Sequence, residues 1–216
     1  MTDLAQALLD DKAREAVRSC VAEVEKSTSG EIVPMVVSRS HAYARAEALG
    51  AAPVGMLAAY AACLILGATD MTAYVVAFVA CYLAAFVILA RFPALKRPFI
   101  SRAEMDEEVR EGALNAFHEH GLHRTRDATG ILIYVSVFER RAWILADHGI
   151  NAKVEQAEWT GIVDGLTAGI KAGRPADALC EAVRACGALV AERFPVRSDD
   201  VNELPDLVVE GGGDRS

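Results

Sequence analysis

Charge is missing where the chain is most apolar: between Ala48 and Ala90 the only Asp, Glu, Lys, Arg or His is Asp70. That absence excludes an ordinary amphipathic surface helix, in which charged and apolar faces alternate. A disulfide framework is excluded as well. The five cysteines, Cys20, Cys63, Cys81, Cys180 and Cys186, are odd in number and none forms a CxxC pair, which fits reduced thiols packed as small apolar residues in a reducing compartment. Basic charge is scarce, with 22 Lys+Arg against 30 Asp+Glu and a net charge of −8. No stretch interleaves Lys or Arg with aromatics, so no nucleic-acid partner is expected. There is no Cys-x5-Arg loop, no DxDx[TV], no GxxxxGK[ST] and no GxSxG, so the standard phosphatase, nucleotide and serine-hydrolase signatures do not apply. The opening "MTDLAQALLDDKAREAV" carries acids and no early basic segment, and it predicts no secretory signal peptide.

What is present begins with the apolar block. Ala48–Thr69 and Met71–Ala90 are each long enough, at about 1.5 Å per residue, to cross a hydrocarbon core of roughly 30 Å. They read as a transmembrane helical hairpin, with Asp70, Gly67, Thr69 and Thr72 making the turn at the far surface. Asp and Gly suit a tight turn, whereas a carboxylate at mid-bilayer is costly. Gly55 and Ala59 in the first span, and Ala77, Cys81 and Ala85 in the second, are small residues at helical spacing that let the two helices approach. Arg39 and Arg45 before the block, and Arg91, Lys96, Arg97 and Arg102 after it, put both flanks on the cytoplasmic side. The expectation is a multi-pass cell (inner) membrane protein, with the lipid bilayer as one partner and both flanking segments free to form one cytoplasmic domain.

Those segments read as alternating helices and strands. Thr2–Lys26 has a broken apolar stripe and predicts one helix. "SGEIVPMVVS" predicts a strand over Glu31–Val37, with Pro34 suggesting an edge or a bulge. After the block, "SRAE" (Ser101 to Glu104) is a capping box opening a helix with Met105, Val109, Ala113 and Phe117 on one face. "GILIYVSVFERRAWILADHG" predicts a β-hairpin: Ile131–Val137, a turn at Glu139–Arg140, and Arg141–Ala146. The unbroken apolar run of its first strand suggests burial on both faces. Two amphipathic helices follow, marked by Trp159, Ile162, Val163, Leu166 and Ile170, then by Leu179, Val183, Cys186 and Val190. The acidic, Gly-ending tail, residues 196–216, reads as disordered throughout; its apolar island at Leu207–Val209 could be a docking motif, but a floppy tail is the favoured reading. The organisation is therefore 1–47 and 91–195 as two parts of one α/β domain, with 48–90 as the membrane hairpin between them.

"TGILIYVSVFERRAWILADHGINAKVEQAEWTGIVDGLTAGIKAGRPADALCEAVRACGALV" resembles the second half of the TPM domain, a family named after a thylakoid lumen protein, a photosystem II repair protein and a nematode receptor-associated protein. "TSGEIVPMVVS" resembles its first strand. The resemblance implies a three-layer α/β domain with a small mixed sheet flanked by helices. It also implies links to acid phosphatase activity, to divalent-cation binding, and to assembly or repair of membrane complexes. Many relatives carry the domain outside the cytoplasm, whereas the flanking charges here put it inside.

Topology adds a geometric expectation. If Glu31–Val37 runs parallel to Ile131–Val137, one sheet end collects Glu31, Asp127 and Asp147, with His148 and Asn151 beside them. Carboxylates converging at loop ends suit Ca²⁺ or Mg²⁺, and such a metal could assist phosphate-ester hydrolysis. Asp in such loops also caps backbone N–H groups. The opposite end carries Glu139, Arg140 and Arg141. It is the end from which the chain leaves for the apolar block, so the two arginines are expected to face lipid head groups. His118, His120 and His123 could suggest a metal, but His118 and His120 point to different sides of a helix, and the three read as frayed helix-end histidines. Two functions remain open: a membrane-tethered interaction, assembly or maintenance factor with a membrane-protein partner, and a metal-assisted acid phosphatase acting at the membrane surface.

Overall fold

The computed structural model describes residues 3–125, 128–191, 193–195 and 204–211. Its contacts divide into two units, Met1–His41 with Asp106–Ser216, and Ala42–Met105.

In the first unit, Asp3 caps a short helix α1 (Leu4–Leu8), and Asp10 caps α2 (Asp11–Glu25) by accepting the Ala13 N–H at 2.7 Å. The single helix expected over Thr2–Lys26 is thus two. Asp10 competes for the backbone at the break, and the Arg14 Nε–H donates to the freed Leu9 carbonyl at 3.0 Å. Strand β1 (Glu31–Val37) follows, and the chain returns to this unit within helix α6 (Arg102–Glu119). Then come β2 (Gly130–Ser136), β3 (Arg141–Ala146), a one-turn helix α7 (His148–Asn151), α8 (Gln156–Lys171), α9 (Pro175–Ala191) and β4 (Val208–Glu210).

The sheet order is β3-β2-β1-β4. β1 pairs parallel with β2, from Glu31↔Gly130 to Val37↔Ser136, and β2 pairs antiparallel with β3. β2 is therefore a central strand and is buried throughout, as its unbroken apolar run requires. Alternation along the strands makes two cores. Ile32, Val36, Ile131, Ile133, Val135 and Ile144 pack with the helices α1, α2, α8 and α9. Val33, Met35, Val37, Leu132 and Tyr134 pack with Val109, Ala113, Ala116 and Phe117 of α6. Helices, sheet and helix are the three layers.

The apolar island of the tail is not floppy. Val208–Glu210 adds β4, parallel to Met35–Val37, and Leu207 is buried in the first core. The reason lies in β1, which has an open edge there. β4 covers only its last three residues, and further along the Ile32 N–H is accepted by Glu25 Oε1 at 3.0 Å. Pro34 sits two residues from Ile32 on the same edge, where a missing N–H leaves nothing unpaired. Residues 196–203 and 212–216 of the tail lie outside the described residues.

The second unit holds α3 (Ala44–Leu66), α4 (Met71–Arg91) and the short α5 (Pro93–Lys96). α3 and α4 are long and apolar enough to cross a membrane. Gly67 ends α3 in the left-handed region at φ +65°, and Asp70 caps α4 by accepting the Ala73 N–H at 3.2 Å. The small residues do bring the helices together: a Cβ on Gly55 would lie 2.8 Å from the Tyr82 Cα. Of the flanking cations, Lys96 is committed inside this unit. It is buried, and its ammonium donates to the Ala42 carbonyl at 2.6 Å and to Glu47 Oε1 at 2.7 Å.

Candidate functional site

The parallel register sets Glu31 beside Gly130, and the antiparallel ladder carries the same row on to Asp147, whose N–H donates to the Gly130 carbonyl at 2.9 Å. Both acids are buried to 8% exposure. Strand alternation puts this row on the α6 side of the sheet. The gap between the two acids has to be glycine, because a Cβ on Gly130 would lie 2.4 Å from the Leu122 carbonyl oxygen. A backbone oxygen thus packs on the row between the two carboxylates.

Asp147 is held in place by capping α7. Its Oδ1 accepts the His148 N–H at 2.6 Å and lies 2.9 Å from His148 Nδ1, in a side chain otherwise largely exposed. Its Oδ2 is buried and has no hydrogen-bond partner among the described residues. A buried, unsatisfied carboxylate oxygen is costly, and a hard divalent cation would satisfy it. Glu31 and Asp147 would be the holding side chains. Mg²⁺ needs no more than one or two carboxylates, because it keeps several waters, and it would polarise a phosphoryl oxygen placed there. Asp127, expected as a third ligand, lies outside the described residues. Among the described residues no three His, Cys, Asp or Glu side chains converge to hold a metal. Capping, the structural role weighed for these acids, is what Asp147 Oδ1 does.

Of the three histidines, His120 diverges from the other two. The His118 and His123 rings lie 5.0 Å apart at the end of α6, while His120 Nε2 turns to Glu210 Oε1 of β4 at 3.4 Å. Two of the thiols, Cys180 and Cys186, are poor nucleophiles. Burial pushes Cys180 up to about 12, with the Cys20 thiol adding to the shift, and burial pushes Cys186 up to about 12 as well.

At the opposite sheet end, Arg140 and Arg141 close the β2–β3 turn. Arg141 is paired with Asp106. Arg140 is exposed, has no ion-pair partner among the described residues, and takes φ +56°. Glu139 between them and the strand is fully buried, accepting the Ser40 N–H at 3.0 Å and the Ser136 hydroxyl. Sequence reasoning found the two arginines and the two buried acids. It missed the Leu122 carbonyl, whose one sequence signal is the glycine beneath it.

Comparison with known proteins agrees with this architecture. The NMR structure of the BA42 protein from the psychrophilic bacterium Bizionia argentinensis shares the fold, with a TM-score of 0.56 at 20% identity over 94% of this chain and 95% of that one. No curated protein sequence matches the chain. Residues 99–189, from the turn before α6 to the last turn of α9, match the TPM domain. Over those residues, a little under half of its length, the chain is similar to the TPM domain.

Proposed function

We propose that this protein is a membrane-anchored TPM-domain protein whose domain works at the cytoplasmic surface as an interaction and assembly or maintenance factor for a membrane complex. The observation that carries the reading is the outward apolar face of α3 and α4. Leu57, Leu64, Ile65 and Leu66 on the first, and Val76, Leu83 and Val87 on the second, are each more than half exposed. Only 28% of the most apolar window of α3 and 11% of that of α4 is buried. Soluble proteins rarely expose apolar patches larger than a few hundred Å², and lipid is the solvent that such a surface fits. Cations at both flanks and none in the turn favour a cytoplasmic domain. The test is a pair of C-terminal fusions in a bacterial host. A fluorescent protein should light up, and an alkaline phosphatase that needs export should stay inactive. The reverse pattern, or release of the chain by alkaline carbonate, overturns the reading. A partner that copurifies with the wild-type chain, and loses its assembly when the chain is depleted, completes it.

One observation favours a second reading, metal-assisted phosphate-ester hydrolysis: the unsatisfied, buried Asp147 Oδ2 in a row with Glu31. On that reading Asp147→Asn and chelation each abolish phosphate release from a model ester by the full chain. Activity indifferent to both excludes it.

A further inference from the structure

A cavity of about 320 Å³ opens at the Arg140 end of the first unit, walled by Leu8 of α1, Val135 of β2, Val137 just after it, and Thr167 and Ile170 of α8. It is unlike the rest of this acidic chain. Its walls are aliphatic, and Arg140 and Lys171 stand exposed at its mouth with no ion-pair partner among the described residues. Arg141 also borders it, but its guanidinium is taken by Asp106. The nearby hydroxyls are spent as donors: Ser136 gives its proton to Glu139, and Thr167 donates to the Val163 carbonyl at 3.0 Å. The groups left to meet a ligand are therefore two cations over an apolar slot. Arg140 holds a left-handed conformation at the end of a hairpin loop, where glycine is the favoured residue. The backbone alone gives no reason for an arginine there.

We infer that this cavity binds a single-chain anionic amphiphile, with its phosphate or carboxylate on Arg140 and Lys171 and its alkyl chain in the slot. The geometry fits that class on three counts. Two cations can share one anionic group through charge-assisted hydrogen bonds. Aliphatic walls gain from burying methylenes and give nothing to a bare anion. A volume near the lower limit of roughly 300–1,000 Å³ for small-molecule sites leaves room for one chain rather than two. The site lies at the sheet end opposite the Glu31–Asp147 row, so it is separate from any chemistry there. The chain also leaves and re-enters this unit at the same end: β1 ends beside the turn, where the Val137 N–H donates to the Val37 carbonyl at 3.0 Å, and Asp106 meets Arg141. Lipid-derived amphiphiles are the class that a membrane-anchored domain would encounter. The source of the ligand, though not the site, rests on the membrane reading.

The test uses the full chain in nanodiscs of zwitterionic phosphatidylcholine, titrated calorimetrically with octyl phosphate. Saturable binding is expected, with inorganic phosphate and octanol each weaker by roughly tenfold or more. The double variant Arg140→Gln/Lys171→Gln changes only exposed side chains and should lose roughly tenfold or more in affinity. Thr167→Phe, which narrows the slot and keeps both cations, should weaken octyl phosphate while leaving thermal unfolding unchanged. Absence of binding, equal affinity for inorganic phosphate, or indifference to the double variant overturns the proposal. Nanodiscs containing single-chain lysophosphatidylglycerol separate the sources: competition with octyl phosphate supports a membrane-resident lysolipid as the occupant, and undiminished affinity supports a soluble amphiphile in the same site. Carbonate extraction of the same preparation reads the anchor by itself, so a chain that binds octyl phosphate yet washes off membranes sinks the anchor and leaves the site standing.

Discussion

Helices α9 and α4 are both rich in apolar and small residues, and they solve opposite problems. α9 has 17 residues and buries eight, among them Leu179, Val183, Cys186 and Val190, between α2, α8 and the sheet. α4 has 21 residues and buries two, Ala85 and Leu89, while Val75, Val76, Val79, Leu83, Val87 and Ile88 point outward. In α9 the polar residues Asp177, Glu181 and Arg184 break the apolar pattern and keep one face wet. In α4 no such face exists between Asp70 and Arg91. Composition alone reads both as apolar helices. The period of the interruptions tells them apart, because a helix that is hydrophobic all round must be surrounded by something apolar.

The sharpest way to break that contrast is one substitution made in both helices. Val183 is fully buried, so Val183→Lys strands a charge in the core and should unfold the first unit, a loss of several kcal/mol. Val79 is half exposed near the middle of α4. On a water-facing helix Val79→Lys would be close to neutral. In a bilayer it costs about 3 kcal/mol of insertion free energy. Membrane fractionation should therefore show the Val79→Lys chain shifted out of the carbonate-resistant pellet, while its first unit keeps wild-type thermal unfolding. If Val79→Lys stays in the membrane at wild-type level, the outward face of α4 does not meet lipid.

Much of the fold was legible because its signals are local. A long run with one charge, Ala48 to Ala90, announces α3 and α4, and the run "GILIYVS" announces a strand buried on both faces. Ser101 capping the Glu104 N–H at 3.1 Å, at the start of α6, could be read from four letters. What could not be read depends on distant partners. β4 is three residues long and exists because β1, far earlier in the chain, leaves an edge open from Met35 onward. The break at Leu9–Asp10 was hidden because the apolar stripe runs across it. The candidate site divides in the same way. Glu31 and Asp147 could be placed together from the parallel crossover alone, whereas the Leu122 carbonyl above Gly130 is a backbone atom and leaves no residue type to notice. In the cavity, Arg140 stood out as part of a basic turn, whereas nothing in the sequence marks Lys171, which lines the cavity because α8 packs against β3.

The smallest effect concerns the single carboxylate of the hairpin, and it separates two roles for that charge. Asp70 accepts the Ala73 N–H, and Ala68 N–H returns to the Cys63 carbonyl at 2.9 Å, so the turn satisfies backbone groups that helix ends leave open. Asp70→Ala removes the acceptor and should cost about 1 kcal/mol, the usual worth of an N-cap. Asp70→Asn keeps an acceptor oxygen in the same place and removes the charge, so a capping role predicts a hairpin as stable as the wild type. Resistance of the full chain to denaturation by sodium dodecyl sulfate, followed by energy transfer between labels at the two ends of the hairpin, gives the ranking. Wild type and Asn together above Ala means that the carboxylate serves the turn. Asn falling to the level of Ala means that the charge itself is needed for more than closing the turn.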